Sequence, residues 1–410
     1  MEKIAITGLG LISPSGIEKR QFWSNIKAGR STVEKIERFD ASLYPSRIAG
    51  HVKELEAYSS VSSRLLKKID LFSHMALVAS ELCLTDAKIN LSDEDLKRVG
   101  IFMGNALGGW LYAETELRDM YIEGREGVSP FMASAWFPAA PQGQISIYYG
   151  IKGFSKTIVA DRASSLMAIA YAARTIIRGK CDFILAGGME APVTPYALLC
   201  CVTSGMLTHN NENPHGAYRP FDKNRDGFAI AEGAGVLTLE PHHRVNKRGA
   251  HVYANIIGYG TSTDAVNRID PAQDGHQLAR AIKMALDDAG LSPGDIDYIC
   301  ADGAGTVAGD ITETKAIKEV FNNHAKKVPV SAPKSIFGNM LGASGALDVI
   351  TTVLAMEHDM VPPTINYQTP DPECDLDYCP NKAQVKEIKN AMIINRGRGG
   401  INCALIVQKN

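Results

Sequence analysis

The sequence predicts an α/β protein built from two similar halves, and three observations predict it. Short β-branched strands alternate with amphipathic helices along the chain. The same order of elements then occurs twice, from residue 3 and again from residue 252. The composition is also that of a globular protein: 410 residues, 45% hydrophobic and 21% charged, with ample apolar material for a large core.

Taken in order, residues 3–12 read as a first strand that runs into a glycine turn at Gly8 and Gly10. Apolar residues at helical spacing mark 71–87 (LFSHMALVASELCLTDA) as a helix. A cap signal follows at 92–95, then a strand over 99–103 that ends in the glycine-rich GNALGG of 104–109. The second pass begins with 252–260 (VYANIIGYG), again a strand into a glycine turn. It continues with the amphipathic helix 276–290, a Ser292-Pro293 cap, and the strand 296–301 entering Gly303-Ala-Gly305. A further match sets 163–169 (ASSLMAI) beside 343–350 (ASGALDVI), each opening a helix after a turn. The halves therefore run 1–250 and 251–410. The polar junction 241–251 does not read as a flexible linker, so the two halves should pack into one body.

The formal net charge is −2 and no Lys/Arg run stands out, which implies neither nucleic acid nor an anionic membrane as partner. No apolar run approaches the ~18 residues of a spanning helix. The N-terminal apolar stretch is short and broken by glycines, so it reads as a strand rather than a secretion signal, and a cytoplasmic location is expected. In a reducing compartment most of the eight cysteines are expected to be buried small hydrophobes. Cys374 and Cys379 lack a nearby histidine, and no metal site or cofactor is expected.

Residues 157–169 (TIVADRASSLMAI) carry a strand–turn–helix pattern of the kind on which α/β enzymes mount a nucleophile. Residues 217–240 (AYRPFDKNRDGFAIAEGAGVLTLE) are long and distinctive, and FILAGGMEA at 183–191, SAPKSIFGNMLGASGA at 331–346 and NRGRGGINCA at 395–404 accompany them. Together these segments resemble the β-ketoacyl synthases over nearly the whole chain. The resemblance implies a thiolase-like fold, five-layered αβαβα, and dimerisation.

In that family a cysteine accepts the acyl chain, and two histidines stabilise the enolate formed as carbon dioxide leaves. The matching positions here are Arg162, Asp302 and Asn339. A guanidinium stays protonated and cannot attack a thioester. An ionised Asp302 only accepts hydrogen bonds, and Asn339 donates but transfers no proton. The chain is accordingly expected to be no enzyme by itself. Asp310, Glu313 and Lys334 keep the pattern of the family's supporting loops, and a Lys334–Glu313 pair is expected to brace two of them. The glycine loop near the C-terminus carries Arg396 and Arg398 where the family has phenylalanines. An Arg162–Asp302 pair is expected, with Arg396 or Arg398 joining it, because a buried charge without a partner costs several kcal/mol, on the order of 3–5.

This combination resembles the chain-length factors, the β subunits of type II polyketide synthases. Residues 135–146 (AWFPAAPQGQIS) and the Arg-Gly-Arg-Gly-Gly loop add to that likeness. Many members of the branch carry glutamine at the position of Arg162, where it is linked to malonyl decarboxylation, and this chain departs from them. The resemblance implies a heterodimer with a cysteine-bearing ketosynthase (the α subunit), an acyl carrier protein, and a growing polyketide chain as partners. It places tunnel-lining residues at Trp110, Ala113 and Leu117, whose spacings of three and four share one helix face. It places Trp136 and Phe137 at the interface. Two other readings are an independent decarboxylase or acyltransferase, with Ser164 and Ser165 beside Arg162, and a regulatory pseudoenzyme in fatty-acid synthesis.

Overall fold

The computed structural model describes residues 3–410. Its central sheet has ten strands: β1 (Ile4–Ile12), β2 (Val99–Gly104), β3 (Ser155–Ile158), β4 (Phe183–Glu190), β5 (Gly233–Pro241), β6 (Ala254–Thr263), β7 (Tyr298–Cys300), β8 (Val330–Ser331), β9 (Asn390–Gly397) and β10 (Ile401–Gln408). Their spatial order is β8-β7-β9-β10-β6-β1-β5-β4-β2-β3. From β1 outward, β5 and β4 add antiparallel, then β2 and β3 add parallel. From β6 outward, β10 and β9 add antiparallel, then β7 and β8 add parallel. The two sets of five strands thus repeat one pattern and meet only where β1 pairs with β6, from Ile4 to Ile6.

The helices that bear on the site are α1 (Leu71–Ala87), α2 (Trp110–Glu123), α3 (Met132–Trp136), α4 (Ala140–Tyr149), α5 (Ser164–Ile177), α6 (Pro195–Thr203), α7 (His276–Ala289), α8 (Val307–Phe321) and α9 (Ser344–Glu357). Helices α5 and α9 pack on each other and on strands from both sets, while α1 covers β1 and β5 and α7 covers β6 and β10. This is a five-layered arrangement, helix–sheet–helix–sheet–helix. Strands β2, β4 and β5 are buried along their whole length, which is why they read as apolar runs rather than alternating ones.

The glycines of the first strand do not make the expected turn. Strand β1 runs straight through Gly8 and Gly10, and β6 likewise passes Gly258 and Gly260. A Cβ on Gly10 would lie 1.9 Å from the Ala79 carbonyl oxygen of α1, and one on Gly260 would lie 2.0 Å from the Ala281 oxygen of α7. Glycine is needed there for a close strand–helix approach, at equivalent places in both sets. Seven of the eight cysteines are buried and free, with Cys200 exposed. Among the described residues no helix is long and apolar enough to cross a membrane.

Candidate functional site

The turn between β3 and α5 is built to lift a side chain. Asp161 adopts a left-handed backbone (φ 49°), which an aspartate tolerates better than most residues. The Ser164 hydroxyl accepts a hydrogen bond from Ala160 N (2.8 Å) and donates to Asn105 O (3.0 Å), which locks the turn onto the end of β2. Arg162 sits at its apex with 7% of its surface exposed.

The expected pairing is present. Arg162 Nη2 lies 3.5 Å from Asp302 Oδ2, and its Nε lies 4.0 Å from Asp161 Oδ2. Nε also donates to the Arg396 carbonyl (2.9 Å). Both loop arginines join the network. The Arg396 amide donates to Asp302 Oδ1 (3.2 Å), and its guanidinium reaches Thr312 (2.7 Å), Asn402 (3.1 Å) and Asp264 (3.7 Å). The Arg398 amide donates to Asp161 (2.7 Å), and its guanidinium lies 3.5 Å from the same carboxylate. Burial pulls the Arg162 guanidinium down, but Asp302 and then Asp161 outweigh it and hold the group above its ordinary value. Burial lowers Arg396. These side chains border a cavity of about 400 Å³ whose lining includes Arg162, Asp302, Arg396 and Asp264.

The supporting loops differ from expectation at one pair. Lys334 does not bridge to Glu313. Its ammonium pairs with Asp348 of α9 (2.9 Å) and donates to the carbonyls of Ala301 and Asp302 (3.0 Å each). Glu313 holds the same loop differently, accepting from the backbone N–H groups of Asp302 (2.7 Å) and Gly303 (2.9 Å). A fully buried ammonium needs a carboxylate within contact, and Asp348 is the one the central helix layer supplies. Burial and the neighbouring Asp302 raise the Glu313 carboxyl to about 8. Asp310 accepts from Phe221 N (2.7 Å) and Gly305 N (3.0 Å) and lies 3.2 Å from Arg225, and burial raises it to about 6. Asn339 is buried, and its side-chain oxygen accepts from Leu341 N (3.0 Å) and Ser344 Oγ (3.1 Å). Arg162 and Asp302 thus border one cavity, while Asn339 is bonded within the turn that opens α9.

Ser164 is bonded within the turn, and Ser165 Oγ accepts from Ala346 N (3.0 Å); both serines are buried. Among the described residues no group of histidine, cysteine, aspartate and glutamate could hold a metal ion.

A second region is formed by α2 with α3 and α6, which it packs against. On α2, Ala113 is buried, Trp110 is half-buried and Leu117 is exposed. The Trp110 ring lies 4.7 Å from Tyr196 of α6 and 6.2 Å from Trp136 of α3. Trp136 and Phe137 are 36% and 57% exposed, and Tyr121 (84%), Ile147 (77%) and Val159 (57%) are further exposed apolar side chains. Sequence reasoning did not find Tyr196, Asp161, Asp264 or Asp348. Of these only Asp348 carried a signal, as the one charge within the apolar start of a helix.

The model of the β-ketoacyl synthase N-terminal domain matches residues 1–244, and that of the C-terminal domain matches 253–368. A 3-oxoacyl-(acyl-carrier-protein) synthase 2 of Staphylococcus aureus is 37% identical over 408 residues, covering 100% of this chain and 98% of the relative. Among solved structures, the chain resembles one of a type II PKS acyl-carrier protein in complex with its ketosynthase bound to the hexaketide. The TM-score is 0.93 at 33% identity, with 100% of both chains covered. It also resembles the ishigamide ketosynthase/chain length factor, with TM-score 0.92 at 30% identity, covering 100% of this chain and 99% of that one. The expectation that this chain is no enzyme by itself is corrected by these findings, because the full-length curated relatives are named as catalytic synthases.

Proposed function

The chain belongs to the β-ketoacyl synthase family, and within it we propose that it serves as the chain-length-factor subunit of a ketosynthase pair. The observation that carries this reading is the apolar face beside edge strand β3. Ile147 stands on α4, which packs against β3, and Val159 directly follows that strand; both are exposed, as are Tyr121 of α2 and Phe137. A large exposed apolar surface next to an unpaired strand edge is what a permanent partner covers. The partner would be a cysteine-bearing ketosynthase, which would supply the thiol that Arg162 does not offer. An acyl carrier protein would deliver the extending units, and Trp136 and Phe137 would reach across the interface.

Trp110, Ala113 and Leu117 would form one wall of a tunnel for the growing polyketide chain. Asp310, Glu313, Lys334, Arg396 and Arg398 would keep the loops around Arg162, Asp302 and Asn339 rigid. The likeness to a ketosynthase/chain length factor supports the reading. The test is reconstitution with the ketosynthase, the carrier protein and a malonyl donor, followed by product mass analysis. Trp110→Ala should move the main product to longer chains and Ala113→Phe to shorter ones. An unchanged product distribution for both would contradict the reading. An acyltransferase acting alone is the second reading, favoured by the names of the curated relatives. It requires turnover by the purified chain without a partner.

A further inference from the structure

Helix α2 begins with no cap of its own. Its N-cap residue is Gly109, which has no side chain to accept from the first turn. The acceptor comes instead from another helix. Asp70 is the N-cap of α1, where its Oδ1 accepts from Phe72 N (3.0 Å). Its Oδ2 accepts from Tyr112 N of α2 (2.7 Å), the third residue of that helix and the one an ordinary cap serves. Asp70 is 2% exposed, so these N–H groups replace the water it has lost.

The junction is tight on its other side as well. Gly109 N donates to the Trp136 carbonyl at the end of α3 (2.9 Å). A Cβ on Gly109 would lie 2.5 Å from the Ala135 oxygen and 2.8 Å from Asp70 Cβ. One carboxylate and one glycine therefore join the starts of α1 and α2 to the end of α3. Beyond its start, α2 packs chiefly on α3, α6 and the turn that follows it. Glu114 ties it to α6 by accepting from Tyr196 N (2.9 Å), and Tyr112 donates its hydroxyl to Ser129 (2.9 Å).

We propose that Asp70 is a positioning residue that fixes where α2 starts, and so the level at which Trp110, Ala113 and Leu117 stand against whatever chain they face. This rests on the reading of that helix face as a tunnel wall. A helix rises about 1.5 Å per residue, so a slip of one residue moves each of the three side chains by roughly the length of one C–C bond along the axis and turns them by about 100°. Losing the cross-helix cap permits such slips without unfolding the molecule.

Two readouts on Asp70→Ala test this, with Ser292→Ala as a control that removes an exposed cap far from α2. The first is hydrogen exchange in the purified chain. Amides 111–113 should exchange at least tenfold faster in Asp70→Ala than in the control, after correction for global stability. The second is the product distribution of the reconstituted pair. Asp70→Ala should broaden it, changing the ratio of the main product to its neighbour at least threefold, while Ser292→Ala leaves it unchanged. Asp70→Asn, which can keep one acceptor, should fall between them. If exchange at 111–113 is unaltered, the inference is wrong even if Trp110→Ala and Ala113→Phe change the product. If exchange rises but no variant in α2 changes the product, the cap stands as structure and both its role in specificity and the tunnel reading fail.

Discussion

The turns that open α5 and α9 are two versions of one device. Residues 160–165 (ADRASS) and 340–345 (MLGASG) hold equivalent places in the two halves of the repeat. Asp161 and Leu341 both take left-handed backbone, with φ of 49° and 46°. Ser164 accepts from the amide of Ala160 (2.8 Å), and Ser344 accepts from that of Met340 (3.0 Å). The apex residues differ completely. Arg162 enters a network of three carboxylates and two further arginines. Gly342 packs so closely that a Cβ would lie 2.5 Å from Ala106 N, and its amide donates to Glu190 (3.1 Å). The backbone device is thus preserved whether or not it displays a side chain, and what the turn does is decided by one residue. Left-handed non-glycine residues cost about 1–3 kcal/mol each, so keeping both turns marks them as over-determined by their surroundings.

Four measurements test whether the two turns are held alike. The largest effect is expected at the charged turn. Asp302→Ala leaves Arg162 and Arg396 buried with fewer partners and should cost about 3–5 kcal/mol in urea unfolding. Arg162→Met added to it should recover part of the loss, because the orphaned charge is then gone. Next comes the packed turn, where Gly342→Ala should cost about 3 kcal/mol by overpacking against backbone that cannot give way. Third, Ser164→Ala and Ser344→Ala should each cost about 1–2 kcal/mol, since each removes one buried hydroxyl that both accepts and donates. Unequal losses would show that the two turns are not held alike.

The smallest effect is a pH slope at Glu190, which accepts from Ala106, Leu107 and Gly342. Burial raises its carboxyl to about 8. The folded chain therefore keeps a proton that the unfolded chain releases near pH 4.5, and this group's contribution to stability falls as pH rises from 4.5 to 8. Glu190→Gln should flatten the decline of the urea-unfolding free energy between pH 6 and pH 8 by about 1 kcal/mol per pH unit.

Much of this was legible in the sequence because it is local. The turn at Arg162, the repeat, and the apolar strands follow from neighbours along the chain. The Arg162–Asp302 pair was foreseeable because two charges in an apolar setting must find each other. The partner of Lys334 was not, since the choice between Glu313 and Asp348 depends on which loop faces the central helix layer. Gly10 and Gly260 misled for a related reason: a glycine that admits a neighbouring helix looks, in sequence, the same as one that turns the chain. Exposure on α2 was likewise hidden. Trp110, Ala113 and Leu117 share a helix face by spacing, yet only packing decides that Ala113 is buried and Leu117 is not. Asp70 caps two helices 40 residues apart, and no pattern in either helix announces it.

Pairing is best read by native mass spectrometry of this chain co-expressed with a cysteine-bearing ketosynthase of the same family. A one-to-one heterodimer is expected, in which Trp136, Phe137, Ile147 and Val159 become protected. A homodimer or monomer that ignores the ketosynthase would contradict it.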